Sequence, residues 1–173
     1  MDESEHCKEV YAHHGLAMFR AQCVEQSISQ LLVFFYFFRK NVPHYTTIEK
    51  WEEDIDAYDE SLSAKTMGQL LKQLSSLKAV DALLEPLLRE ALAKRNHLAH
   101  RFFVDHALNF VSSTGRDRMI SELEAATELF NKVENTLNPI TLSLCEKYGL
   151  TQEKLKEIEQ ALFAEADGVS PAP

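Results

Sequence analysis

Apolar side chains at Val10, Ala17, Ala21, Val24, Ile28, Leu31, Leu32 and Phe35 recur at helical spacing and predict a first long helix from about Ser4 to Phe38, ended near Pro43. The next stretch, "TTIEKWEEDIDAYDESLSAK", packs six carboxylates between Trp51 and Glu60 and lacks a clean period, so it reads as a connection with at most a short helix. Thr66 is the expected N-cap of a second helix, and Asp81 caps or precedes a third. That third helix carries a broad apolar face from Leu83 and Leu84 through Leu88, Ala91 and Leu98 to Phe102 and Phe103. "SSTGRD" at 112–117 breaks the pattern. A fourth helix follows with Met119, Leu123, Ala126, Phe130, Val133 and Leu137 inward, and Pro139 is expected to kink or interrupt it. Gly149 and Thr151 punctuate before a short last helix, "QEKLKEIEQALFAEA". The pattern predicts an all-α fold, an antiparallel four- to five-helix bundle forming one domain over residues 1–165, with a disordered tail at 166–173.

Composition agrees with that class. Five glycines and five prolines in 173 residues favour long helices over turn-rich β architecture. Cys7, Cys23 and Cys145 are far apart and form no C-x-x-C spacing, which suggests neither a disulfide framework nor a zinc knuckle and fits a reducing cytoplasm. The acidic N-terminus, "MDESEHCKEV", does not resemble a secretory signal. The longest apolar run, "LLVFFYFF", has eight residues, well short of the roughly 20 that cross a bilayer, so no membrane association is expected. Within it, Phe34 to Phe38 are apolar around the whole helix and need two covers, read as core plus dimer interface rather than a base-stacking platform.

A net charge of -9 argues against general adhesion to nucleic acid. The charge is uneven, however. From Leu88 to Arg118 six basic residues face three acidic ones, a local +3. Within this region lies "AKRNHLAHR", where a helix otherwise apolar on one side carries an arginine, an asparagine and two histidines within six residues. At 100° per residue Asn96 and His100 share a face one turn apart, whereas Arg95 and His100 lie about 140° apart around the axis. Aiming both at one target needs the length of Arg95, a kink, or a second copy of the helix in a symmetric dimer.

"RNHLAH" resembles the signature of the HEPN superfamily (higher eukaryotes and prokaryotes nucleotide-binding domain): an arginine, a polar residue, then a histidine after four to six intervening positions. Arg95, Asn96 and His100 match it, and the long first helix and the helix after the motif extend the likeness over about residues 5–140. The resemblance implies a helical bundle that dimerises so that two motifs face each other. In its enzymatic members it implies metal-independent endoribonuclease activity within toxin–antitoxin or defence systems, with an antitoxin or nucleotidyltransferase partner. Chemically, His100 would move a proton at the ribose 2′-OH or the leaving 5′-oxygen, Arg95 would hold the phosphate, and Asn96 would orient either. Lys94, His97 and Arg101 are the accompanying RNA-binding candidates; no metal or cofactor is implied. One departure is Phe102: a subgroup of these toxins has there a tyrosine that its nucleotidyltransferase modifies, so that control is expected to be missing.

Blander readings stand beside these. The motif residues also suit an ordinary polar helix face, and the family includes non-catalytic members, which makes a helical module binding nucleotide, RNA or a partner protein the alternative. Arg101 and His106 read as solvent-facing groups or RNA-backbone contacts. His6, His13 and His14, spaced seven and one apart near the N-terminus, do not read as a metal site. A third reading makes the acidic segment 52–60 a mimic of nucleic-acid charge toward a basic partner.

Overall fold

A computed structural model describes residues 3–77 and 84–166, and no strand occurs among them. The chain is all-α and divides into two compact units, residues 1–138 and 139–173. Every candidate residue of the motif lies in the first unit.

Helix α1 (Glu3–Leu32) buries the expected stripe: Val10, Ala17, Ala21, Val24, Ile28, Leu31 and Leu32 are at most 1% exposed. The chain then passes through a π-helical segment, Val33–Phe38, into α2 (Arg39–Asn41) and a 3-10 turn, Val42–His44, that contains Pro43. Widened helical turns of this kind are rare, and this one coincides with the run of aromatic side chains. Asn41 Nδ2 donates to Phe37 O at 2.9 Å, which satisfies a carbonyl near the helix end.

The acidic connection expected next is instead a 16-residue helix, α3 (Ile48–Ser63), started by Thr47, whose hydroxyl accepts the Lys50 N–H. Its period was masked by carboxylates. Trp51, Ile55, Tyr58 and Leu62 stand at helical spacing, and Trp51 and Tyr58 pack on the aromatic run: Phe37 lies 5.1 Å from Trp51 and 5.5 Å from Tyr58, ring centre to ring centre. Helix α3 is thus one of the two covers that the aromatic run requires.

Thr66 caps α4 (Met67–Ser76), as the sequence predicts, and the structure adds a capping box with Gln69. Helix α5 (Leu84–His100) follows; Asp81 and Leu83 fall outside the described residues. Both α4 and α5 pack on α1 and on each other, burying Met67, Leu70, Leu74, Leu88, Ala91 and Leu98. The apolar face expected to continue to Phe103 stops as helix at His100. Two short turns, α6 (Phe102–Asp105) and α7 (Ala107–Phe110), carry the chain onward, with Phe102 fully buried and Phe103 partly exposed.

Helix α8 (Ser113–Lys147) begins inside "SSTGRD", which is therefore a helix start and not a break. Ser112 is its cap: the Ser112 hydroxyl accepts the Gly115 N–H at 3.1 Å and its carbonyl accepts Arg116 N–H at 2.9 Å. Met119, Leu123, Phe130, Val133 and Leu137 are fully buried, the inward set the sequence predicts. The helix is not interrupted at Pro139, although a proline removes one backbone donor.

In the second unit, the end of α8 is sealed by Gly149 at φ 81°, with Gly149 N–H donating to Glu146 O and Leu150 N–H to Cys145 O. Thr151 then caps α9 (Gln152–Ala166), as its position in the sequence suggests. The tail expected at 166–173 lies, apart from Ala166, outside the described residues.

Two glycines of the first unit give opposed predictions. A Cβ on Gly115 would sit 2.1 Å from the backbone oxygen of Asn109, so Gly115→Ala must push the α7 turn off α8; we expect a loss of ~1–3 kcal/mol. A Cβ on Gly15, in the middle of α1, meets nothing within 4 Å, so Gly15→Ala should add ~0.5–1 kcal/mol through helix propensity. Urea unfolding of the two variants checks both signs, and equal shifts would contradict the packing of α7 on α8.

Candidate functional site

The motif occupies the last two turns of α5, and α1 holds that end in place. His14 Nε2 donates to Leu98 O at 3.1 Å, supplying a donor to a carbonyl of the last turn, while its ring lies 5.6 Å from Phe102 and 4.9 Å from Phe103. Fully buried Phe102 locks the turn that ends α5. Around it, Tyr11, Phe103 and Phe110 form a partly exposed aromatic cluster, with Tyr11 5.7 Å from Phe103 and 5.6 Å from Phe110.

The three catalytic candidates are placed differently. Arg95 is turned toward α1, its Nη2 2.9 Å from Glu25 Oε1, with both side chains 25% exposed. That approach is an ion pair out of hydrogen-bond alignment, since Glu25 Oε1 is buried without an aligned donor. Arg95 Nη1 also donates to Asn96 Oδ1 at 3.2 Å. His100 is exposed at the helix end and makes no hydrogen bond or ion pair among the described residues. Arg95 and Asn96 are therefore together; the contact with Asn96 that the spacing allows to His100 is not made.

The RNA-binding candidates are engaged within the chain. Lys94 Nζ reaches Glu122 Oε1 of α8 at 3.3 Å. His97 turns away from His100, with Nε2 3.2 Å from Asp105 Oδ2 and Nδ1 3.7 Å from Glu122 Oε1. Arg101 pairs with Asp105 at 2.8 Å, one turn on. His106, expected at the solvent or on an RNA backbone, is mostly buried and donates from Nε2 to Glu122 Oε2 at 2.9 Å. Asn109 Nδ2 donates to His106 Nδ1, also at 2.9 Å, which fixes the neutral ring's proton on Nε2.

The basic region is consequently compensated. Of its six cations, Arg89, Lys94, Arg95, Arg101 and Arg116 each pair with a carboxylate, and Glu85, Glu122, Glu25 and Glu3 come from outside the segment 88–118. Arg118 alone has no such partner among the described residues. Glu25, Asp105, Glu122 and Asn109 were not identified in the sequence as part of the site. Glu25 is 70 positions from Arg95, and no spacing rule links them.

A second polar junction joins the starts of α1 and α8. Buried His6 sits with Nε2 3.1 Å from Asp117 Oδ1 and Nδ1 3.4 Å from the Ser113 hydroxyl. Arg116, also buried, donates from Nη1 to Phe110 O at 2.9 Å. Among the described residues no group of three or more histidine, cysteine, aspartate or glutamate side chains stands where it could share a metal ion. Nor is any helix among them long and apolar enough to cross a membrane. Compared with protein-family models, with curated proteins and with solved structures, the chain matches none.

Glu122 is the electrostatic centre of the motif's polar side. Burial alone would raise its carboxyl, but the Lys94 ammonium and His106 outweigh burial and hold it below the ordinary value of 4.5. A depressed carboxylate stabilises the fold above its unfolded value, and that contribution is lost as pH falls through the folded value. Glu122→Gln should therefore lower stability at neutral pH and flatten the acid limb of the stability profile. Thermal melts across pH 3 to 7 check this; parallel wild-type and variant profiles would contradict the assignment.

Proposed function

We propose that this chain is a HEPN-like antiparallel helical bundle that works as a homodimer and cuts single-stranded RNA without a metal, in the manner of toxin or defence ribonucleases. The observation that carries the reading is His100: an imidazole at the exposed end of α5, uncommitted among the described residues, one turn beyond exposed Asn96, which itself accepts from Arg95. It would take the proton of the ribose 2′-OH or return one to the 5′-oxygen, and Arg95 would offset charge developing on the phosphate. The balanced step forms the bond between the 2′-oxygen and phosphorus, breaks that between phosphorus and the 5′-oxygen, and leaves a 2′,3′-cyclic phosphate.

Within one chain Arg95 and His100 diverge, and a second copy would bring two motifs into one groove. Support for a partner surface comes from exposed apolar side chains next to the motif, among them Tyr11, Val104, Leu108 and Val111, the last two 87% and 72% exposed. An antitoxin would have the same surface available. With phenylalanine at 102, buried, control by modification at that position has no acceptor hydroxyl.

The second reading is a helical module that binds nucleotide, RNA or a partner protein without cutting. Its partner-protein form is favoured by the in-chain pairing of Lys94, Arg95 and Arg101, which leaves little free positive charge to grip a phosphate backbone.

The experiment is incubation with end-labelled single-stranded RNA in EDTA, alongside His100→Ala. We expect cleavage with cyclic phosphate ends and a loss of about 10²-fold or more in the variant, the scale of general acid–base catalysis. Products ending in a free 3′-OH would refute the mechanism. RNA retained on the protein but left whole, equally by wild type and variant, would establish the binding module.

A further inference from the structure

A cavity of about 370 Å³ lies between α4 and α5, and Arg95, Asn96 and His100 do not line it. Its volume falls in the range of small-molecule pockets, roughly 300–1,000 Å³. The floor is aliphatic: Leu71, Leu74, Leu88 and Leu92 line it, three of them buried. Gly68 leaves one wall low, since even a methyl there would only just touch Leu92.

The polar groups of the lining are few and fall into two kinds. Arg89 and Glu85 face the cavity but are tied to each other one turn apart on α5. Lys72 and Ser75, three residues apart on one face of α4, are exposed and make no hydrogen bond or ion pair among the described residues. Among the described residues the lining thus holds two cations and one carboxylate, and after the Arg89–Glu85 pair is set aside one ammonium and one hydroxyl remain there as uncommitted donors. Ligand pockets commonly combine an apolar body with a small number of converging polar groups that fix one charged end.

We propose that this cavity binds a small amphiphile with a single carboxylate, the aliphatic chain lying on the leucine floor and the carboxylate held by Lys72 Nζ with Ser75 as second donor. A phosphate monoester would carry more charge than the one free ammonium balances, and a neutral alcohol would leave that ammonium unanswered. The site is separate from the ribonuclease proposal and stands or falls without it.

Isothermal titration calorimetry with octanoate tests the assignment, with octan-1-ol as the uncharged comparison and Lys72→Glu as the variant. Lys72 is exposed and has no partner among the described residues, so the substitution is expected to leave the fold intact, which circular dichroism checks. The expected result is saturable binding of one octanoate per chain, weakened about tenfold or more both in Lys72→Glu and for octan-1-ol, with Lys72→Arg retaining it. Absence of saturable octanoate binding, or equal binding by wild type and Lys72→Glu, would overturn the proposal.

Discussion

Helix α1 sets the spacing on which the first unit is built. Its inward residues are small or branched: Ala17 and Ala21 let a neighbouring backbone come close, while Val24, Ile28, Leu31 and Leu32 fill the layer beyond, all essentially without solvent exposure. Helices α4 and α5 settle against this stripe. The same helix also furnishes the polar groups that orient the motif, for His14 meets the last turn of α5 and Glu25 draws in Arg95. A shift of α1 along its axis would therefore disturb the core and the motif together.

Charge compensation is the second theme. Along the chain, residues 88–118 look basic; in space they do not. Carboxylates from α1 and α8 cross to meet α5, and Glu122 collects Lys94, His97 and His106 at one point. These pairs are part-buried and still screened by solvent, so beside a modest stabilisation they act through orientation and through the field at the surface. The field near His100 is weaker than a count of arginines suggests.

Much of the helical order was legible. The stripes of α1 and α8, the Thr66 cap and the Gly149–Thr151 punctuation all depend on neighbours within a few residues, and such local rules can be read from one chain. Helix α3 was not, because six carboxylates hid the four positions Trp51, Ile55, Tyr58 and Leu62 whose spacing defines it. The break at Arg101 was equally hidden: the apolar period runs on to Phe103, while the turn depends on His14 and Phe102 meeting across 88 residues of sequence. At the site, the identity of the exposed residues was legible and their partners were not. Arg95 looked free in the sequence because Glu25 can be found only in three dimensions.

The segment between α5 and α8 lacks a long helix, yet both its ends are fastened. Arg101 N–H bonds back to His97 O, and at the other end Arg116 holds Phe110 O while Gly115 lets the Asn109 backbone press directly onto α8. Val104, Leu108 and Val111 are thus displayed from a strap whose backbone is already ordered. Ordering a loop is a large part of what association costs, and here folding has met that cost in advance. A partner meeting this strap would encounter a rigid edge, and the strength of its attachment would be governed by the fit of a few apolar side chains.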